Sequence, residues 1–233
     1  MARCHIRLLT RGGGGILPTV VSTGLVAYVD FTQPTCYSGT GTTFYNLVDN
    51  VAQTITVDSV SSVSYTSAKG LRLNNKNVNY LNPGACLSLT TYAVQTISVW
   101  YKIYSTGYTQ YICDARTNPP TGTSTDLTGY AYSGNPNFGP AWDKVYMNGG
   151  SAQNAQTASW SGTINPTTPT TWMNVTIVGL NPSVTYPTIA GRYNKVECLD
   201  SSIAFVLVYN RAITQTENTT NYNAFLSKMN ALT

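Results

Sequence analysis

Along this chain, apolar and polar residues alternate over short stretches, and turn-forming residues separate the stretches. In Gly24–Phe31 (GLVAYVDF), Leu25, Ala27, Val29 and Phe31 alternate against Val26, Tyr28 and Asp30. A period of two marks a strand with one face turned to a core. The same pattern predicts strands over Thr43–Val48, Gln53–Asp58, Val60–Tyr65, Gly70–Asn74 and Asn77–Leu81. The longest is Val94–Tyr104, with Ile97, Val99, Tyr101 and Ile103 on one face. Tyr108–Ala115 follows a turn at Ser105-Thr106-Gly107 and reads as its hairpin partner. Asp143–Asn148, Thr171–Gly179, Thr185–Arg192 and Ser202–Tyr209 complete the set, and 118–137 and 151–170 read as loops. About a dozen short strands at this spacing imply a sandwich or barrel.

One segment breaks the period of two. Thr214-Gln215-Thr216-Glu217 is a capping box, whose hydroxyl and carboxylate satisfy free amides at a helix start. Tyr222, Phe225, Leu226 and Met229 then recur at helical spacing. Gln215–Met229 is therefore predicted as an amphipathic helix covering one end of the sandwich, its aromatic stripe serving as core.

Composition agrees with an all-β reading. Only 9% of the 233 residues are charged, against about 25% in a typical soluble domain. The apolar share is an ordinary 42%, so the missing charge is replaced by Thr, Ser, Asn, Gly and 17 Tyr. The only glutamates are Glu197 and Glu217, which excludes a coiled coil or long helical bundle. An aromatic share of 11% argues against charge-driven disorder.

Charge also divides the chain. Arg3, Arg7 and Arg11 precede the first acid, Asp30. Without those three arginines the net charge of +4 falls to +1. Residues 1–23 read as an extended, basic, Gly-rich arm, and 24–233 as one β domain. The arm lacks a core of its own and is expected to dock on its own body or on a neighbour. A nearly neutral body offers no electrostatic footprint for nucleic acid. No apolar run has the length of a signal peptide's core or of a membrane helix, so neither is expected.

The cysteines, Cys4, Cys36, Cys86, Cys113 and Cys198, are odd in number and never spaced C-x-x-C. They read as scattered, buried, reduced thiols, which suits a reducing cytoplasm. The sequons at Asn174 and Asn218 read as chance in a chain rich in Asn and Thr.

Several stretches resemble one family in order and spacing. Gly24–Asp30 looks like the opening strand of the concanavalin A-like, laminin-G-like jelly roll. Tyr37–Leu47 is similar to the "SYPGSGTTWYDLSG" stretch of virus and bacterial members, with Asn46 where many have Asp. Thr96–Tyr101 looks like "FTISAWFK", Val145–Gly149 like "LYVNG", and Trp172–Thr176 like "WHHVA". Ile189–Tyr193 resembles "IGGRY", with Ala190 where a Gly is common. Ile203–Thr214, followed by a helix, is the strongest match, and 116–142 resembles nothing known. The resemblance implies a two-sheet antiparallel jelly-roll sandwich whose first and last strands pair.

The fold hosts glucanases, so carboxylates matter. Relatives carry them as E-x-D-x-E on one strand face, and retaining glycosidases need two about 5 Å apart. Here Glu197-Cys198-Leu199-Asp200 has the wrong spacing, Glu217 belongs to the capping box, and the lone His5 lies in the arm. No enzyme activity, catalytic residue, cofactor or metal site is expected. The aspartates stand isolated, without EF-hand spacing. Glycan-facing aromatics could come from Tyr130, Tyr132, Trp142, Trp160 and the Asn135–Phe138 loop, with no site assigned among them. The resulting expectation is a non-enzymatic virion structural protein, assembled in host cytoplasm. It would be a capsid decoration, minor capsid, tail or fibre component. Its partners would be other virion proteins or further copies, contacted through the arm, and a host-surface glycan. The alternative is a lectin module without a structural role.

Overall fold

The computed structural model describes residues 19–58, 61–75, 83–90, 92–104, 110–114, 128–131, 143–154, 171–185 and 187–232. Most of the proposed arm, Cys4, His5 and the Asn77–Leu81 strand lie outside them. The chain folds as a two-sheet antiparallel β-sandwich with a C-terminal helix.

The first seven strands are β1 (Leu25–Asp30), β2 (Thr43–Tyr45), β3 (Ala52–Thr56), β4 (Ser62–Thr66), β5 (Gly70–Asn74), β6 (Cys86–Ser88) and β7 (Tyr92–Ile103). The rest are β8 (Gln110–Asp114), β9 (Thr128–Ala131), β10 (Lys144–Met147), β11 (Gln153–Asn154), β12 (Met173–Thr185), β13 (Thr188–Ile189) and β14 (Ser201–Tyr209). The large sheet runs β11-β10-β12-β7-β14-β5-β4, with β1 also on β14. The small sheet runs β2-β3-β6-β13-β8-β9.

Strand β14 organises the large sheet. One edge pairs with β7 along its whole length. The other is shared: Ser201–Ile203 pair with β5, and Phe205–Tyr209 with β1. The predicted pairing of first and last strands is therefore present. Gly70 makes the handover to β5 possible. Its φ is +70°, and a Cβ there would lie 2.5 Å from the Ile203 carbonyl oxygen. Val206 and Val208 face the core between the sheets, whereas Phe205, Leu207 and Tyr209 face outward, beneath the helix. Burial on both faces explains the unbroken apolar run IAFVLVY.

Three expectations change. Tyr108–Ala115 is not the hairpin partner of β7. Both edges of β7 are taken by β12 and β14, so β8 crosses to the small sheet and pairs with β13 and β9. The strand read over Thr171–Gly179 continues to Thr185 through a register shift after Val178, while β13 is only Thr188–Ile189. The helix α1 (Gln215–Ala231) does not cover an end of the sandwich. It lies on the outer face of the large sheet, where Phe225 and Met229 join Tyr28, Trp100, Phe205 and Leu207 in a second core. Its buried positions are Asn218, Asn221, Phe225 and Met229, so the Tyr222 side of the expected stripe is only partly covered.

Asn221 is buried because it is partnered. Its amide donates to Tyr209 Oη (2.9 Å), which donates to the Val21 carbonyl (2.9 Å), while Val21 N donates back to Asn221 Oδ1 (2.9 Å). This closed ring, with Arg211 Nε on the Thr23 carbonyl, fastens residues 21–23 to helix and strand. At the far end of the helix, Lys228 Nζ reaches Asp30 Oδ2 (3.0 Å), a buried carboxylate also held by Tyr28 and Thr32. Both sequon asparagines, Asn174 and Asn218, are buried, so neither is open to glycosylation in the folded chain.

The capping box forms as read: Glu217 N donates to Thr214 Oγ1, and Thr214 N to Glu217 Oε2. Arg211 adds a two-pronged pair to the same carboxylate (2.5 and 2.9 Å). That pairing, and the Thr214 amide, outweigh burial and lower the Glu217 carboxyl to about 2. A depressed carboxyl contributes stability above its unfolded pKa and loses it as pH falls through the folded one. Glu217→Gln is therefore expected to lower stability at pH 7 by about 1 kcal/mol, since the pair is partly solvent-screened. In urea melts, the gap from the parent should close between about pH 5 and pH 2.

Candidate functional site

Alternation in the small sheet separates two rows. Ile55, Leu87, Ile189 and Cys113 turn into the core. The neighbouring positions, Thr43, Thr54, Ser88, Thr188, Asp114 and Thr128, stand in register across all six strands. Because side chains alternate along a strand, the positions from Thr43 to Asp114 belong to the outer face. Thr43 and Thr54 are exposed and Ser88 half-buried, and Thr56 Oγ1 lies 3.3 Å from Ser88 Oγ. Thr188 and Asp114 are buried, so the open part of the row is the hydroxyls of Thr43, Thr54 and Ser88.

A tight turn folds over part of this row. Lys195 N donates to the Arg192 carbonyl (2.8 Å), and Arg192 N to that of Val196 (3.2 Å). Tyr193 N is anchored on Asp114 Oδ2 (3.1 Å), and Lys195 Nζ on Thr188 Oγ1 (3.3 Å). Gly84 N donates to the Lys195 carbonyl (2.8 Å), and Tyr111 N to that of Glu197 (3.1 Å). These ties hold Ala190, Lys195 and Glu197 at positive φ (60°, 67° and 53°). Left-handed backbone costs a non-glycine residue about 1 kcal/mol or more, and such strain clusters at functional sites.

The turn groups several kinds of side-chain chemistry. Arg192 Nη1 pairs with Glu197 Oε2 (3.0 Å). Its guanidinium carbon lies 5.4 Å from the Tyr193 ring centroid and 5.8 Å from that of Tyr111, within cation–π range. Arg192 Nε is buried without a partner. Hydroxyls, an aromatic pair and a guanidinium beside a carboxylate can stack on and hydrogen-bond a hydroxyl-rich ligand.

The sequence pattern by itself does not mark these side chains for binding, although Arg192 and Tyr193 lie in the "IGGRY"-like stretch. A usable signal was present. Arg192, Lys195, Glu197 and Asp200 fall within nine residues of a chain that is 9% charged. The aromatics Tyr132, Trp142, Trp160 and the Asn135–Phe138 loop lie outside the described residues. Tyr130 is on β9, in register with Tyr111, which puts its backbone on this same sheet. Among the described residues, no three His, Cys, Asp or Glu side chains group to hold a metal.

No family model matches the chain, and no curated protein sequence does. Solved structures share its architecture. Trypanosoma rangeli sialidase superposes with a TM-score of 0.51 over 87% of this chain and 33% of its own, at 13% identity. A mutant of that sialidase displaying trans-sialidase activity gives 0.52 over 90% and 34%, also at 13% identity. Domain 4 of AbnA, a GH43 extracellular arabinanase from Geobacillus stearothermophilus, in complex with arabinotriose, gives 0.49 over 85% and 98%, at 14% identity. At such identities the likeness to the sialidases is one of fold alone, and this chain spans about a third of their length.

Proposed function

We propose that this chain is a non-enzymatic carbohydrate-binding sandwich of the concanavalin A-like type. It holds a hydroxyl-rich ligand on the outer face of the small sheet, against the Arg192–Glu197 turn. The strained turn beside a strip of hydroxyls carries this reading, because it combines stacking rings, hydrogen-bonding groups and a charged pair. The sialidase fold likeness supports it. The absence of chemistry rests on how the carboxylates are used. Glu197 is paired with Arg192, Asp200 with Arg72, and Glu217 stays ionised as a helix cap.

The test is a glycan array followed by calorimetric titration. Saturable binding of one sugar class is expected. Arg192→Ala and Tyr193→Ala should each weaken it about tenfold, or about 1.4 kcal/mol. Binding that neither variant disturbs would move the site elsewhere, and no binding to any sugar class would sink the reading.

A second reading adds a setting. The segment ahead of residue 19 carries three arginines and Gly12–Gly15, and residues 21–23 are fastened to helix and strand. In this reading the basic segment tethers the sandwich to other proteins of a virus particle, which presents the site to host glycans. A chain lacking residues 2–18 should stay folded and bind sugar but fail to enter the particle. Normal incorporation of the truncated chain would end this reading.

A further inference from the structure

Cys86 and Cys198, far apart in sequence, form a small cluster of their own outside the two main cores. Cys86 pairs in register with Thr56 and stands two residues before Ser88, so it shares the outer face of the small sheet. Cys198 closes the Arg192–Glu197 turn, and its Sγ donates to the Lys195 carbonyl (3.1 Å). Both side chains are buried. A methyl group on Gly191 would lie 2.9 Å from Cys198 Sγ and 3.4 Å from Cys86 Sγ, so both sulfurs crowd one point. Gly191 leaves the room in which they meet.

We propose that Cys86 and Cys198 are a disulfide-forming pair that staples the Arg192–Glu197 turn to the small sheet. The oxidant is a low-molecular-weight disulfide such as oxidised glutathione. Because both thiols are buried, exchange runs when the Arg192–Glu197 turn opens: Cys86 then loses its proton and attacks one sulfur of that disulfide, releasing one thiolate and leaving a mixed disulfide. Cys198, deprotonated in turn, attacks Cys86 Sγ and expels the second thiolate. Two protein thiols are oxidised, and one small disulfide is reduced to two thiols, which take up the two protons the cysteines lose. The order follows from the thiols' environments. The contact between the two sulfurs lowers the Cys86 thiol and raises that of Cys198. The thiolate is the attacking form, and a folded pair in contact closes the second step rapidly. The pairing revises the sequence-based picture of scattered thiols and does not depend on what the turn binds.

The full chain, purified reduced, is equilibrated with excess oxidised glutathione, alkylated after denaturation and mapped by mass spectrometry. The expected product is a Cys86–Cys198 linked peptide lacking two hydrogens. Its Tm should be higher by about 5 °C or more and return on reduction. Cys86→Ser and Cys198→Ser should lose both the link and the shift, while a Cys4→Ser/Cys36→Ser/Cys113→Ser triple variant keeps them. Should a serine variant not fold, the parent's map still decides. Alkylatable Cys86 and Cys198 at full oxidation, or links to Cys4, Cys36 or Cys113 instead, would overturn the proposal. Sugar titration of the two redox forms is a separate readout, so loss of binding and loss of the link can be told apart.

Discussion

Phe225→Ala is expected to lower unfolding free energy by about 3–5 kcal/mol. Whole-domain stabilities are about 5–15 kcal/mol, so this one change should remove a large share. Phe225 is fully buried on α1 and is the ring through which the helix engages the sheet. It stacks on Phe205 at 4.2 Å between centroids, tilts against Trp100 at 4.7 Å and meets Tyr28 edge-on at 6.0 Å. Trp100 and Phe205 are themselves edge-to-face at 6.0 Å. Truncation leaves a cavity bounded by three rigid rings on adjacent strands, which cannot close over it cheaply. Aromatic pairing adds about 0.5–1.5 kcal/mol per contact beyond area. Urea melts should show a lower midpoint at unchanged slope. Phe225→Leu, which refills most of the volume, should cost clearly less. A Phe225→Ala midpoint within about 1 kcal/mol of the parent would mean that the helix is dispensable to the fold.

The position of that helix shows what was legible in the sequence. The capping box at Thr214–Glu217 is a local signal, and it located the helix start to the residue. The covered surface is a long-range property. The clue lay in β14, where an unbroken apolar run meant burial on both faces and so a second layer outside the large sheet. Asn221 disguised the inward stripe, because a buried amide is paid for by partners such as Tyr209 and Val21, which only the fold brings to it. The turn at 105–107 misled for a related reason. A turn signal shows that the chain reverses, but not that both edges of β7 are already occupied. The candidate site was least visible. Its polar row exists only through registers between five strands, and its turn is fixed by bonds to residues 84, 111 and 114.

The other large effect is expected at Asn46, which stands where many resembling proteins have Asp. Asn46 is fully buried and stands in for a neighbouring strand beside β1. Its Oδ1 accepts from Tyr28 N (2.9 Å) and Val48 N (3.1 Å), and its Nδ2 donates to the Val26 carbonyl (2.9 Å). Leu47 N completes the strip by donating to the Tyr28 carbonyl (2.8 Å). A carboxylate could keep the two accepted bonds but would set an anionic oxygen against the Val26 carbonyl. Asn46→Asp should therefore cost about 2–4 kcal/mol at pH 7, the range for an unsatisfied buried polar group that is also charged. The penalty carries a sign in pH. Burial and the facing carbonyl favour the neutral acid, whose O–H can donate to Val26 as the amide did. The folded pKa of the introduced acid then lies above its unfolded value. Between those two values the native state holds the extra proton, so the variant gains on the parent as pH falls and loses as it rises. Asn46→Ala, which removes these three bonds without adding charge, should be destabilised to a similar degree at every pH. Matched urea melts of the three proteins from pH 4 to pH 8 separate the cases. A pH-independent deficit in Asn46→Asp would mean that the carboxylate finds a donor in place of Val26, and that the amide nitrogen is not what this position requires.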